Sequence, residues 1–337
     1  MVRPRGREVT APAAFDAAPL RDAARWRRIE GLFWLLPVLG YFVFPDNLAL
    51  LTQMAIMALF ALSLDLILGY AGIVSLGHAA FYGIGAYTAG LLAAHGHGDP
   101  LLGLACAAVV AAALGFATSF LVLRGADLTR LMVTMGVAVM LHEAANKLTD
   151  ITGGVDGLQG VDIRPLFGHF DYDMVGRTGY LYSVAVLFLL FWIARHLVHA
   201  PFGLTLRGIH QNAARMPALG SPVHARLVTV YTIGAAYAGV AGALLTQTTQ
   251  FVSIDVLSFG RSAELLLMLV LGGTGSLYGA LLGAVVFMAV RHQLADINPQ
   301  YWQFWLGLVL IAVVLYARDG LMGALRRVAA RWPGVAR

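Results

Sequence analysis

The chain has 337 residues, of which 59% are hydrophobic and only 12% charged, with a mean hydropathy of +0.75; an average soluble domain carries roughly 25% charged residues. Such a chain is excluded as a soluble globular protein, and its formal charge of +5 and pI near 9.5 sit on no basic soluble face, which excludes nucleic-acid binding. The single cysteine, Cys106, permits no intramolecular disulfide and no cysteine-based metal site.

Residues 1–30 read as a basic N-terminal arm. Its lead before the first apolar run is long and no small-residue cleavage site follows, which predicts an uncleaved first span. Ten apolar runs follow, at about 32–44, 48–69, 74–95, 101–123, 128–146, 178–198, 226–248, 262–273, 278–293 and 301–317. Runs of about 20 residues cross a hydrocarbon core of about 30 Å. The predicted fold is an all-α, polytopic helical bundle of about ten transmembrane segments over residues 31–317. The first, eighth and ninth runs are short, so a broken or re-entrant segment fits there. Two halves of about five spans, each with a glycine-interrupted segment, hint at an internal repeat.

Orientation follows the arginines. They crowd into the arm, into the connections holding Arg124, Arg130, Arg195, Arg207, Arg215 and Arg226, and into the tail at 318–337. Ten crossings put all of these, and both termini, on the cytoplasmic side. The alternate connections are acidic, notably the external loop 147–177 with Asp150, Asp156, Asp162, Asp171 and Asp173.

Two stretches are unusually rich in glycine. The first, Gly69 to Gly90, holds Gly72, Ser75, Gly77, His78, Gly83, Gly85 and Tyr87, with Ala79/Gly83 and Ala86/Gly90 as small residues four apart. The second holds Gly272, Gly273, Gly275, Gly279 and Gly283. Small residues let helices approach closely in lipid, and the same density unwinds a helix that lines a cavity. Both readings fit: packing for Gly85, Gly90, Gly272, Gly273, Gly275, Gly279 and Gly283, and a solute path for Asp65, Gly72, Ser75, Gly77, His78, Gly83, Tyr87 and Glu264. An acid within the bilayer, such as Asp65 or Glu264, needs a partner or water. No catalytic set accompanies them: GxxxxGK[ST], HExxH and GxSxG are absent, and Ser75 with His78 has no acid close in sequence.

The cytoplasmic loop 199–225 reads as one or two short helices, with an apolar face of Leu204, Leu206, Ile209, Ala213 and Met216. Arg207, His210, Gln211, Asn212 and Arg215 lie largely elsewhere, and Leu219 with Gly220 ends the element. Such a helix can lie on lipid or dock in a partner's groove.

These residues carry a family resemblance. The run Gly69 to Gly90, the loop ending at Ala218 to Gly220, the run Ser262 to Ala284 and the external Thr152 to Val161 together resemble, in order, the LivM-type permease subunits of branched-chain amino-acid ABC importers. The resemblance covers about residues 48–315. It implies a subunit in a bacterial inner membrane that pairs with a second, related permease and receives an amino acid from a periplasmic binding protein. Two cytoplasmic ATPase subunits would use the ATP, and this chain would bind no cofactor or metal and perform no chemistry. The resemblance also implies a coupling helix over Arg207, His210, Gln211, Asn212, Arg215, Leu219 and Gly220. Here the sequence departs from the family: the usual acidic residues in mid-helix are missing and Pro217 enters the last turn. A permease for urea or short amides remains an alternative, as does an ATP-independent channel or carrier, which would need intramembrane ion or proton sites.

Overall fold

The structure is a computed structural model that describes residues 28–125, 127–170, 172–173, 176–316, 320–323 and 327. Most of the expected arm and tail therefore lies outside the described residues. All ten apolar runs are helical, and the loop 199–225 adds a further helix; among the described residues the longer helices are α1 Arg28–Val43, α2 Leu48–Leu68, α3 Ala79–Ala94, α4 Pro100–Val122, α5 Asp127–Lys147, α6 Arg177–His199, α7 Pro201–Asn212, α8 Val223–Thr249, α9 Phe259–Gly272, α10 Leu277–Ile297 and α11 Trp302–Tyr316. Pairing outside helices is confined, among the described residues, to two isolated bridges, Leu158 with Val252 and Leu166 with Phe170.

Among the described residues, six segments are long and apolar enough to cross a membrane, namely those of α2, α4, α5, α6, α8 and α10. The other four apolar helices are shorter than the expectation of ten complete spans. At 16, 16, 14 and 15 residues, α1, α3, α9 and α11 reach about 21–24 Å at 1.5 Å per residue. The backbone explains two of them. The third run becomes helical at Ala79, not at 74, because Gly72 (φ +72°) turns the chain into an irregular segment. α9 stops where Gly273 takes φ +100°.

α2 and α8 form the centre. From Met54 to Ile67 every α2 residue is buried, and α8 packs against α2, α3 and α4. Little hydrophobic drive acts between helices in lipid, so close approach and dispersion carry the packing. The α8 positions Gly239 and Gly242 supply that approach. A Cβ on Gly242 would strike the Tyr82 carbonyl of α3, and one on Gly239 would strike Ala111 and the Ala107 carbonyl of α4. Gly85 of α3 in turn lies directly on the Gly239 backbone. α9 and α10 form a second close pair, in which Gly272 faces the Gly279 carbonyl and Gly283 faces that of Met268. Beside this contact, Arg195 of α6 pairs with Glu30 of α1, and Tyr278 of α10 donates to the same carboxylate at 3.2 Å. The first helix thus begins before the expected boundary at residue 31.

The loop 147–177 folds back on the neighbouring helix ends. The Leu158 and Val252 backbones pair, and Arg164 donates its backbone N–H to Gly98 and its guanidinium to the Gly96 carbonyl. Burial holds the Tyr172 phenol of this loop well above the usual tyrosine range.

Candidate functional site

The segment Tyr70 to His78 joins α2 to α3 without regular structure, yet Ile73, Ser75 and His78 are almost completely buried. Non-helical backbone at membrane depth must find partners inside the protein. Here Leu76 donates its N–H to Thr134 Oγ1 of α5 at 3.3 Å, and Ala79, at the start of α3, donates to Ser262 Oγ of α9 at 3.0 Å. Gly77 lies against the Thr134 carbonyl, where no side chain fits. His78 bonds through Nε2 to Ser63 Oγ of α2 at 2.8 Å. Its ring stacks on Phe60, which stacks in turn on Tyr82 at 4.4 Å between centroids. Ser75 Oγ, His78 Nδ1, Tyr82 OH and Tyr87 OH are buried without a hydrogen-bond partner in the structure. Phe60 and Ser63 of α2 with His78 and Tyr82 of the following segment form one polar, aromatic seam; of the expected path residues His78 belongs to it, Ser75 and Gly77 lie on the segment leading to it, and Gly83 lies under the Leu257 side chain.

Asp65 lies one turn before the end of α2 and is fully buried. Its Oδ1 accepts the Gly275 N–H at 2.7 Å, tying α2 to the break between α9 and α10. Gly69 and Gly275 meet at the same point, since a Cβ on Gly69 would strike both Asp65 Oδ1 and the Gly275 nitrogen. On the other side of this joint sits α7. His210 Nδ1 bonds to the Gly69 carbonyl at 3.1 Å, its ring beside Gly72, and the Arg207 guanidinium lies over the Tyr70 ring at 5.2 Å. Gly203, Leu206 and Ile209 form the buried face of α7, while Leu204, expected there, is exposed. Gln211, Asn212, Arg215, Leu219 and Gly220 are exposed, with Leu219 at 78%. Asn212 Oδ1 accepts the Arg215 N–H, shaping the turn, and Gly220 closes the loop in the left-handed region.

Glu264 does have partners: Arg261 of α9 and Arg291 of α10 each donate to its Oε2 at 3.3 Å. Both arginines, with Gln53 and His292, line a cavity of about 310 Å³. A second cavity, of about 240 Å³, is lined by hydroxyl groups of Thr52, Thr248, Thr249 and Tyr172. Sequence reasoning missed Ser63, Ser262, Thr134, Gln53, Arg261 and Arg291. The pair Arg261 and Glu264, three apart on one helix within an apolar run, was the readable signal. The remaining partners come from distant helices. No group of three or more His, Cys, Asp or Glu residues suited to a metal ion occurs among the described residues.

The helical membrane architecture agrees with the comparisons to known proteins. A family model described as branched-chain amino acid transport system / permease component matches residues 47–314. The chain is 31% identical over 312 residues to the high-affinity branched-chain amino acid transport system permease protein LivM of Salmonella typhimurium, covering 85% of this chain and 72% of the relative. It is 26% identical to the permease protein BraD of Pseudomonas aeruginosa and 23% identical to the permease protein LivH of Escherichia coli, covering 79% of this chain and 91% of each relative. No solved structure matches. The chain is a multi-pass helical membrane protein and belongs to the family of permease components of branched-chain amino acid transport systems.

Proposed function

We propose that this chain is one of two related permease subunits of an ATP-driven importer in a bacterial inner membrane. All ten apolar helices lie in the membrane region, 31–317, with the short ones acting as broken or tilted spans. Both termini are cytoplasmic, α7 and its loop 199–225 form the coupling element, and 147–177 is external. A periplasmic binding protein delivers a branched-chain amino acid, and two ATPase subunits bind and hydrolyse the ATP; this chain carries no nucleotide site. Similarity to both LivM and LivH permeases supports the pairing of two related chains.

The observation that carries the reading is the chain of contacts from α7 into the membrane core. Its buried face packs on the bundle, His210 and Arg207 hold Gly69 and Tyr70, and four residues before Gly69 Asp65 holds Gly275 at the α9/α10 break. Motion imposed on α7 by a nucleotide-driven partner therefore reaches two places where helices are interrupted. Interrupted helices are where packed membrane helices pivot at low cost. The protein then alternates between two packed states, and partner nucleotide binding supplies the bias.

The exposed end of the loop is the docking surface in this reading. Changing Arg215→Glu together with Leu219→Asp touches no described contact within the core. Co-purification of the ATPase subunits is expected to fall about tenfold or more, as for the loss of one or two interface anchors, while membrane insertion persists. Undiminished co-purification would remove this loop from the coupling interface.

A further inference from the structure

α1 stands off from the rest of the bundle. Its close backbone approach is confined largely to the turn Pro45–Asn47 that leads into α2, and side chains hold the remainder of the helix. Near its start Glu30 pairs with Arg195 and accepts from Tyr278, while Phe33 meets Tyr278 and Trp34 meets Phe191, each edge-on at 5.1 Å between centroids. Further on, the Tyr180 hydroxyl of α6 donates to the Pro37 carbonyl at 2.7 Å, and the Tyr41 and Tyr180 rings stack. Between these attachments lies a cavity of about 180 Å³, walled by α1, α2, α6 and α10.

The depth of the cavity follows from helix direction. α2 and α10 pack together, and the end of α2 meets the start of α10 through Asp65 and Gly275, so the two run in opposite directions. The cavity touches 51–58 of α2 and 281–285 of α10, stretches about one to three turns in from opposite ends. It therefore lies midway along the apolar length of the bundle.

The walls leave one kind of occupant. Met54, Ala55 and Ala58 form a buried inner wall. The Tyr180 hydroxyl is taken by Pro37, which leaves at most the Trp34 indole N–H as a free donor, short of the two to four partners a buried water needs. An apolar cavity of about 150 Å³ stays dry and takes benzene, so this one admits a hydrocarbon of at least that size. It also opens sideways: Leu36 of α1 and Val285 of α10 line it and are themselves 57% and 41% exposed. Leu35, Val38, Leu39 and Phe42 continue an exposed apolar surface along α1. In a multi-pass membrane protein that surface meets acyl chains, so the mouth between α1 and α10 is continuous with the bilayer. A further helix, about 10 Å across, is too wide for the space.

We propose that this cavity binds one acyl chain of a bilayer phospholipid, which enters between α1 and α10 and packs on Met54, Ala55 and Ala58. The site is independent of the solute that the permease carries. Its drive is dispersion, because walls facing a void lack contact partners and apolar surfaces in lipid gain little from the hydrophobic effect. Recognition rests on the chain and not on the headgroup, and the lipid supplies the packing that α1 lacks along its inner face.

The test uses phosphatidylcholine and phosphatidylglycerol carrying a photoreactive diazirine at mid-chain, each mixed in turn into proteoliposomes of the assembled importer. After irradiation, adducts are mapped by peptide mass spectrometry. Adducts on 54–58 of α2 are expected with either lipid. Those residues are buried, so a chain that only bathes the outer surface does not reach them, whereas Phe42, 73% exposed, reports bulk lipid. Ala55→Leu with Ala58→Leu fills the cavity with about as many added carbons as benzene has. Adducts on 54–58 should then fall about tenfold or more, and those on Phe42 should not change. The map of the parent protein decides by itself if the filled variant fails to assemble. Adducts confined to Phe42 and other outward side chains overturn the site. So do inner adducts that persist in the filled variant, and inner adducts that one headgroup alone produces. Inner adducts formed with this chain alone but lost in the assembled importer also overturn it, making the mouth a subunit contact.

Discussion

Replacing Gly85 with leucine is expected to separate α3 from α8 and to leave a membrane-inserted chain that melts early and is degraded by protease. The two helices touch there through backbone: the position a Gly85 Cβ would take is already filled by the Gly239 main chain. Side chains in a core can shift to accept added volume, whereas backbone of a central helix moves only with everything packed on it. Overpacking costs about 1–3 kcal/mol where the surroundings relax, and this site belongs at or beyond the upper end. α8 has no slack on its far side, because Gly239 also lies against α4. Gly136→Leu is the control, since nothing lies within 4 Å of its Cβ position. Thermal melting in detergent and limited proteolysis of both variants check this. A Gly85→Leu protein as stable as Gly136→Leu would mean that α3 and α8 do not meet as described.

Asp65→Ala is expected to lower uptake about tenfold or more, with a smaller loss of thermal stability, while Asp65→Asn retains most of the uptake. The distinction lies in Oδ1. It accepts the Gly275 N–H in a buried setting, and hydrogen bonds to carboxylates contribute about 1.5–3 kcal/mol, enough to shift an equilibrium between two packed states by about tenfold or more. Asparagine keeps an oxygen at that position and alanine does not. Initial uptake rates at equal protein content decide the matter. Equal rates for the parent and Asp65→Ala would take the joint between α2 and the α9/α10 break out of the mechanism. Equal damage by both substitutions would show that the ionisable group itself, not the tie, is needed.

The sequence was a good guide to the helices and a poor one to their joints. Ten apolar runs became ten helices because length and apolarity are local properties. Gly85 of α3 was readable as a close-packing position, and it lies against the Gly239 backbone of α8. The start of α3 was misread by five residues: Ile73, Val74 and Leu76 look helical by hydropathy, yet Gly72 and Gly77 hold them in an irregular path between α5 and α9. Gly83, expected on a path, lies under Leu257, which arrives from far along the chain. The Asp65 to Gly275 bond spans 210 residues and Ser63 to His78 spans 15; neither spacing follows a helical period, so neither pattern points to a partner. Arg207 and His210 were assigned to a coupling helix by the family resemblance, and in the structure they contact Tyr70 and Gly69 of the same chain.

The central claim is that this chain passes an amino acid only as part of an ATP-driven assembly. The direct measurement is uptake of labelled leucine into proteoliposomes holding this chain with its second permease and ATPase subunits, with and without ATP and the binding protein, beside liposomes holding this chain alone. The account predicts leucine accumulation that requires both ATP and binding protein, and none through the chain alone. Leucine flux through the isolated chain without ATP would contradict it.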